Sequence, residues 1–261
     1  MPLLDIQNIS VQFGGLKAIS NFSMSLETGS LEGLIGPNGA GKTTVFNVIT
    51  GVVRKNDGKV LFDGKEIPNQ MRPDRIAHLG IARTFQNIRL FSKLPVAENV
   101  AIALQNVAQY SMFDAFFKTP KSRRLDKAVE RQSMEYLEMV GLAEYADKIA
   151  GELPYGLQRR LEIARAIATK PKLLLLDEPA AGMNPEETAA LADFIRKLHA
   201  DHNGELSILL IEHHLDFVYH LCDRITVMNL GSKLATGTPQ DIFNDEKVVK
   251  AYIGERRSRN E

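Results

Sequence analysis

Apolar and polar residues alternate over residues 3–13 through Leu4, Ile6, Ile9 and Val11, and the pattern stops at Gly14-Gly15. Period-two alternation ending in paired glycines predicts a half-exposed strand that runs into a turn. Further strand-like stretches cover residues 21–26, 30–35, 59–62 (after Asp57-Gly58), 172–176, 207–211, 224–229 and 233–236, with helical runs between several of them. Residues 173–176 are four consecutive leucines. A strand without alternation must be covered on both faces, as central strands of a parallel sheet are. The pattern predicts an α/β core.

Between about residues 86 and 152 the strand signal disappears and helical spacing takes over, in residues 96–110 and again in 125–140 through Leu125, Ala128, Val129, Leu137 and Val140. A helical insertion therefore interrupts the core. Residues 118–124, with Pro120 and four basic side chains, read as an exposed connection between two helices. Met112, Phe113, Phe116 and Phe117 form an apolar cluster at helical spacing, either the insertion's own small core or, in part, the wall of a cleft for a partner. In residues 239–253, Ile242, Phe243, Val248, Val249, Tyr252 and Ile253 are spaced for short amphipathic helices, and the charged residues 255–261 are expected to fray. The chain divides into a core (1–85 and 153–238), a helical subdomain (86–152) and a C-terminal extension (239–261).

With 261 residues, 44% hydrophobic and 25% charged, the chain can bury one sizeable core, and disorder is excluded. Lysine plus arginine and aspartate plus glutamate both number 32, so no global basic field gathers nucleic acid. The single cysteine, Cys222, has no internal disulfide partner, and Met1-Pro2-Leu3-Leu4-Asp5 lacks the features of a secretion signal. Both features fit a reducing cytosol. No apolar run approaches the roughly 18–20 residues that span a bilayer, so work at a membrane would need a partner's anchorage.

The chemistry begins after the strand at residues 30–35, in Gly36-Pro37-Asn38-Gly39-Ala40-Gly41-Lys42-Thr43-Thr44. Glycines let successive backbone N–H groups converge on an anion, and the following apolar run at residues 45–49 supplies a helix N-terminus. Lys42 can reach the β- and γ-phosphates of a nucleoside triphosphate, and the Thr43 hydroxyl can ligate Mg²⁺. A second element lies at the tip of the leucine strand, where Asp177-Glu178-Pro179 presents adjacent carboxylates. Asp177 suits Mg²⁺ through its water shell, and Glu178 suits polarisation of an attacking water.

Together these motifs resemble those of the ATP-binding-cassette (ABC) ATPases, in the right order over nearly the whole length. The resemblance implies a P-loop NTPase core with an inserted all-helical subdomain and an N-terminal antiparallel β element. It also implies that Phe13 stacks on adenine and that Gln86 reaches the Mg²⁺ and the attacking water. Leu153-Pro154-Tyr155-Gly156-Leu157 occupies the family's signature position, where Tyr155 and Gly156 would close over the γ-phosphate held by an opposite subunit. His213 matches the switch histidine that would bond the γ-phosphate, with His214 as the competing choice. Two places depart from the common pattern: Pro154 stands for the signature serine, and Asn184 for an aspartate expected at the dimer seam.

Within the family, Phe13-Gly-Gly-Leu-Lys-Ala18, Arg83-Thr-Phe-Gln-Asn-Ile-Arg-Leu-Phe91, Gln158-Arg-Arg-Leu-Glu-Ile-Ala-Arg165, Asp177-Glu-Pro-Ala-Ala-Gly182 and Ala251-Tyr-Ile-Gly254 are similar to the ATPase subunits of branched-chain amino-acid importers. That subgroup tolerates signatures without serine. The implied partners are two membrane permease subunits, a second ATPase subunit (another copy or a related chain) and, indirectly, a periplasmic or lipid-anchored binding protein. The implied place is peripheral, on the cytoplasmic face of the inner membrane. A lipopolysaccharide-export ATPase shares the general build, but the string at residues 83–91 and the long helical insertion favour the importer. A soluble ABC ATPase of DNA repair or translation would usually carry two cassettes or long arms, which this sequence lacks.

Overall fold

In the computed structural model, which describes residues 1–107 and 120–258, the strands fall into two sheets. The first is antiparallel, ordered β2-β1-β4-β5, and is built from β1 (Leu4–Phe13), β2 (Leu16–Leu26), β4 (Asp57–Phe62) and β5 (Lys65–Glu66). The second is ordered β10-β9-β3-β8-β7-β6, from β3 (Leu31–Ile35), β6 (Ile81–Arg83), β7 (Leu173–Asp177), β8 (Ser207–Ile211), β9 (Arg224–Asn229) and β10 (Ser232–Gly237). Its strands run parallel except for the β9–β10 hairpin. β3 lies between β8 and β9, so the loop that follows it opens at the carboxyl edge of the parallel strands, where open α/β sheets bind ligands.

The leucine strand is covered on both faces. Leu174 and Leu176 enter one apolar cluster, with α5 (Tyr155–Ala168) and α6 (Pro185–Asp201), whereas Leu173 and Leu175 enter another, with the antiparallel sheet and α1 (Lys42–Ile49). In β1 a register shift between Ile6 and Ile9, with Asn8 at φ 51°, moves the alternation by one residue. The bulge keeps Leu4, Ile6, Ile9 and Val11 all buried.

The helical insertion follows β6. Val96, Val100 and Leu104 of α3 (Val96–Val107) and Val129 and Leu137 of α4 (Pro120–Met139) bury against α5 in the cluster that also covers the parallel sheet. Among the described residues the remaining α-helices are α2 (Pro73–His78), α7 (Leu215–Leu221), α8 (Pro239–Asn244) and α9 (Glu246–Ser258). Among the described residues, no helix is long and apolar enough to cross a membrane.

Several expectations need correction. Residues 120–124 are the start of α4 and not a connection, because Pro120 sits where a proline's fixed φ and missing N–H suit a helix start. α9 runs through Ser258, so residues 255–258 continue the helix; Glu and Arg are good helix formers and no breaker intervenes. β2 begins at Leu16, five residues before the expected strand, because the tight turn pairs Phe13 with Leu16 and Gln12 with Lys17 although Leu16 and Lys17 are exposed. The short β5 and β6 carry no pattern of their own and exist through pairing with β4 and β7. Met112, Phe113, Phe116 and Phe117 lie outside the described residues.

One buried group ties the fold to pH. Glu32 of β3 is 3% exposed; its Oε1 accepts from Ser30 at 3.3 Å, and its Oε2 has no hydrogen-bond partner. Burial pushes its carboxyl up from an ordinary 4.5 to about 7, only partly opposed by Ser30 and the nearby Arg224. The folded chain thus holds a proton that the unfolded chain releases, and stability falls as pH rises from about 4.5 to about 7, by at most about 3 kcal/mol. Glu32→Gln is expected to flatten this slope. Melting curves should show the variant gaining on the parent between pH 5 and pH 8, and a constant difference would refute the assignment.

Candidate nucleotide site

Two glycines shape the loop after β3. A β-carbon on Gly36 would lie 2.1 Å from the Met228 carbonyl oxygen of β9, and one on Gly41, at φ 101°, 2.7 Å from the Ala18 carbonyl oxygen of β2. The loop is therefore pressed against both sheets. Lys42, the first residue of α1, is buried and donates from Nζ to the carbonyls of Gly36 (2.7 Å) and Pro37 (3.0 Å). Asn38, Gly39 and Thr43 are exposed, Thr44 is half-buried, and Ala40 is buried. Phe13 stands at the end of β1, in the hairpin whose Ala18 abuts Gly41, and it is 50% exposed. It is not a core residue, which leaves its ring able to stack.

The backbone at the tip of β7 sends the two carboxylates different ways. Glu178 adopts φ 46°, rare for a residue with a side chain, and its N–H bonds to the Ile211 carbonyl at 2.9 Å. Asp177 stays buried and accepts from Arg83 Nη2 at 2.7 Å. Arg83 Nη1 donates to Asn47 Oδ1 of α1 at 2.8 Å, and the guanidinium lies over the rings of Phe46 and Phe85. Arg83 thus joins the strand tip to the helix that follows the phosphate loop. Glu178 instead meets Gln86 and His213: Gln86 Nε2 donates to its Oε2 at 2.7 Å, and His213 Nδ1 lies 3.6 Å from the same oxygen.

His213, and not His214, faces Glu178. His214 Nδ1 lies 3.2 Å from Glu212 Oε2. Glu212 is fully buried; its Oε1 accepts from the Ala180 N–H (2.8 Å) and its Oε2 from the N–H groups of His213 (3.0 Å) and His214 (3.3 Å). It fastens the loop after β7 to the loop after β8.

Tyr155 and Gly156 stand apart from this group, in the first turn of α5. Tyr155 is 41% exposed, open space lies where a β-carbon on Gly156 would be, and Pro154 occupies the N-cap without a side-chain bond. Their link runs to the segment around Gln86. The fully buried Arg159 donates from Nη1 to the Phe85 carbonyl (2.7 Å) and to Glu162 Oε2 (2.6 Å), and from Nη2 to the Gln86 carbonyl (2.8 Å) and the Tyr155 hydroxyl (3.3 Å). Glu162 Oε1 accepts the Arg89 N–H at 3.1 Å, and Arg165 Nη1 donates to the Arg89 carbonyl. Asn184, the second departure from the family pattern, caps α6: its side chain accepts the Glu187 N–H at 2.9 Å, and Glu187 Oε2 accepts the Asn184 N–H at 3.0 Å. Asparagine caps as well as aspartate, and the cap contributes about 1 kcal/mol.

Arg83, Arg159 and Glu212 escaped the residue-level reading of the chain. The only local signal was a charge beside an apolar stretch, as at Ile211-Glu212, or an arginine inside a quoted string, and neither reveals its partners.

The chain matches the family model described as ABC transporter over residues 19–181, and that of the branched-chain amino acid ATP-binding cassette transporter over residues 232–257. It is 43% identical over 254 residues to the high-affinity branched-chain amino acid transport ATP-binding protein BraF of Pseudomonas aeruginosa, covering 97% of this chain and 98% of that protein. Identity and coverage are the same for LivG of Escherichia coli, which carries the same description. The crystal structure of the ADP conformation of MJ1267, an ATP-binding cassette of an ABC transporter, superposes with a TM-score of 0.82 at 34% identity over 97% of this chain and 99% of that one. With the phosphate loop, the divergent carboxylates and the helical insertion already in place, these matches show that the chain belongs to the ABC transporter ATPases, among the ATP-binding proteins of branched-chain amino-acid transport.

Proposed function

We propose that this chain hydrolyses ATP to drive import of branched-chain amino acids through partner permeases. The observation that carries the chemistry is the convergence of Gln86 and His213 on a single oxygen of Glu178. Residues 36, 38–44 and the N-terminus of α1 cradle the phosphates, Lys42 carries the balancing positive charge, and Phe13 stacks on adenine. Glu178 takes the proton of the water that attacks the γ-phosphorus, Gln86 fixes the rotamer of that carboxylate, and His213 bonds a γ-phosphate oxygen and orients the water.

The donor set fits Mg²⁺: the Thr43 hydroxyl, the Asp177 carboxylate paired with Arg83, and the amide oxygen of Gln86, whose nitrogen is committed to Glu178, are all hard oxygens. When bound, the ion neutralises the β- and γ-phosphate charge. Tyr155 and Gly156 serve the nucleotide of a second ATPase subunit, with the uncapped first turn of α5 facing its γ-phosphate. In this reading residues 1–85 and 153–238 form the nucleotide-binding core, residues 86–152 the arm that meets two permease subunits, and residues 239–261 an extension. The subunit sits on the cytoplasmic membrane face, and a binding protein on the other side delivers the substrate.

The test is turnover of the isolated chain against turnover after co-expression with its permeases. The isolated chain should hydrolyse ATP slowly, and the assembled transporter should be faster and respond to leucine-type substrates presented by the binding protein. Equal rates in both preparations would refute coupling.

A further inference from the structure

His214 holds the N-cap of α7, where a short side-chain acceptor is favoured, yet it makes no capping bond. Its imidazole turns back, with Nδ1 3.2 Å from Glu212 Oε2 and its ring centre 4.5 Å from that of His213. His213 Nδ1 lies 3.9 Å from the same Glu212 oxygen and 3.6 Å from Glu178 Oε2. Glu212, His213 and His214 each offer a ligand atom within 4.8 Å of the others. A tetrahedral Zn²⁺ with bonds of about 2.0–2.2 Å needs donors ~3.3–3.6 Å apart. The separations of 3.2 and 3.9 Å from Glu212 Oε2 bracket that spacing.

We propose that His213, His214 and Glu212, with water as fourth donor, bind a borderline transition-metal ion such as Zn²⁺, and that its binding arrests ATP hydrolysis. Imidazole nitrogen selects such ions over Mg²⁺, which prefers oxygen, so this site is chemically distinct from that of the hydrolytic Mg²⁺. Glu212 is built as a ligand: buried, and fixed in orientation by three backbone N–H groups. Access is open, because both histidines line a groove of about 820 Å³ between α6 and α7. Coordination requires each ligating Nδ1 to carry its lone pair, so the ring proton resides on Nε2 and the hydrogen bond from His214 to Glu212 gives way to two metal bonds. With the ion in place, His213 no longer faces a phosphate, and the added cation beside Glu178 opposes its taking a proton from water.

The test uses the full chain and Zn²⁺ itself. Calorimetry without nucleotide should give one Zn²⁺ per chain, with affinity lowered in His214→Ala by more than the roughly 10–100-fold that loss of an outer-shell partner costs, because a direct ligand is removed. The second variant, His214→Asn, supplies a capping side chain without an imidazole and separates a metal effect from a helix effect. In the assembled transporter at saturating Mg²⁺ and ATP, Zn²⁺ should stop turnover of the parent reversibly on chelation. Both variants should keep the parent's zinc-free rate and resist inhibition. Zinc binding unchanged in both variants, or parent and variants inhibited alike, would overturn the site. The calorimetric arm stands even if the transport reading fails.

Discussion

Glu178→Gln is expected to lower ATP turnover of the assembled transporter by about 10²–10⁴-fold while nucleotide affinity stays near that of the parent. The substitution keeps the shape of the side chain and an oxygen that can still accept from Gln86 Nε2, so the strand tip keeps its geometry. What disappears is the base. A loss of that size is about 2.7–5.5 kcal/mol of transition-state stabilisation, within the range a positioned carboxylate supplies. The binding elements lie elsewhere in the chain, in the loop around Lys42 and in Phe13. Single-turnover hydrolysis and equilibrium nucleotide binding measured on one preparation separate the two effects. Turnover within a few-fold of the parent would remove Glu178 from the reaction.

The second large effect belongs to Arg83. Its ion pair with Asp177 is buried on both sides, with side-chain exposures of 8% and 6%. Arg83→Met leaves a carboxylate in the interior without its cation, a change that costs about 3–5 kcal/mol. The hydrogen bond to Asn47 and the stacking over Phe46 and Phe85 go with it. Denaturant unfolding should show the loss, and adding Asp177→Asn should restore part of it by removing the orphaned charge. A single-variant loss below about 1 kcal/mol would mean that water or another group already compensates Asp177.

The contrast between these two carboxylates marks how far the sequence could be read. Asp177 and Glu178 were legible as a pair because a four-leucine strand delivers them, and the phosphate loop was legible because strand, glycines and helix follow in order. Their divergence was not, since it depends on a left-handed backbone at Glu178 and on an arginine 94 positions away in sequence. Phe13 was assigned through the family resemblance alone, and its 50% exposure leaves the ring open as that assignment requires. Asn184 read as a lost charge because the expectation came from the family pattern, whereas locally it satisfies the first turn of α6. The errors at residues 120–124 and 255–258 have one cause: charged residues look like loops when only their polarity is weighed, and both segments are rich in good helix formers. β6 was invisible because three residues carry no periodicity and pairing with β7 alone makes them a strand.

The clasp of Arg159, Glu162 and Arg165 on residues 85–89 has a mechanical consequence. The backbone of Gln86 travels with α5, so the segment is no free hinge. On its other side Thr84 is tied to β7, its N–H bonding the Leu175 carbonyl at 2.9 Å. A displacement of the first turn of α5 is therefore passed through Arg159 to the backbone at Phe85 and Gln86. The Gln86 amide that ends this block rests on the Glu178 carboxylate, so the insertion and the tip of β7 share one mechanical path.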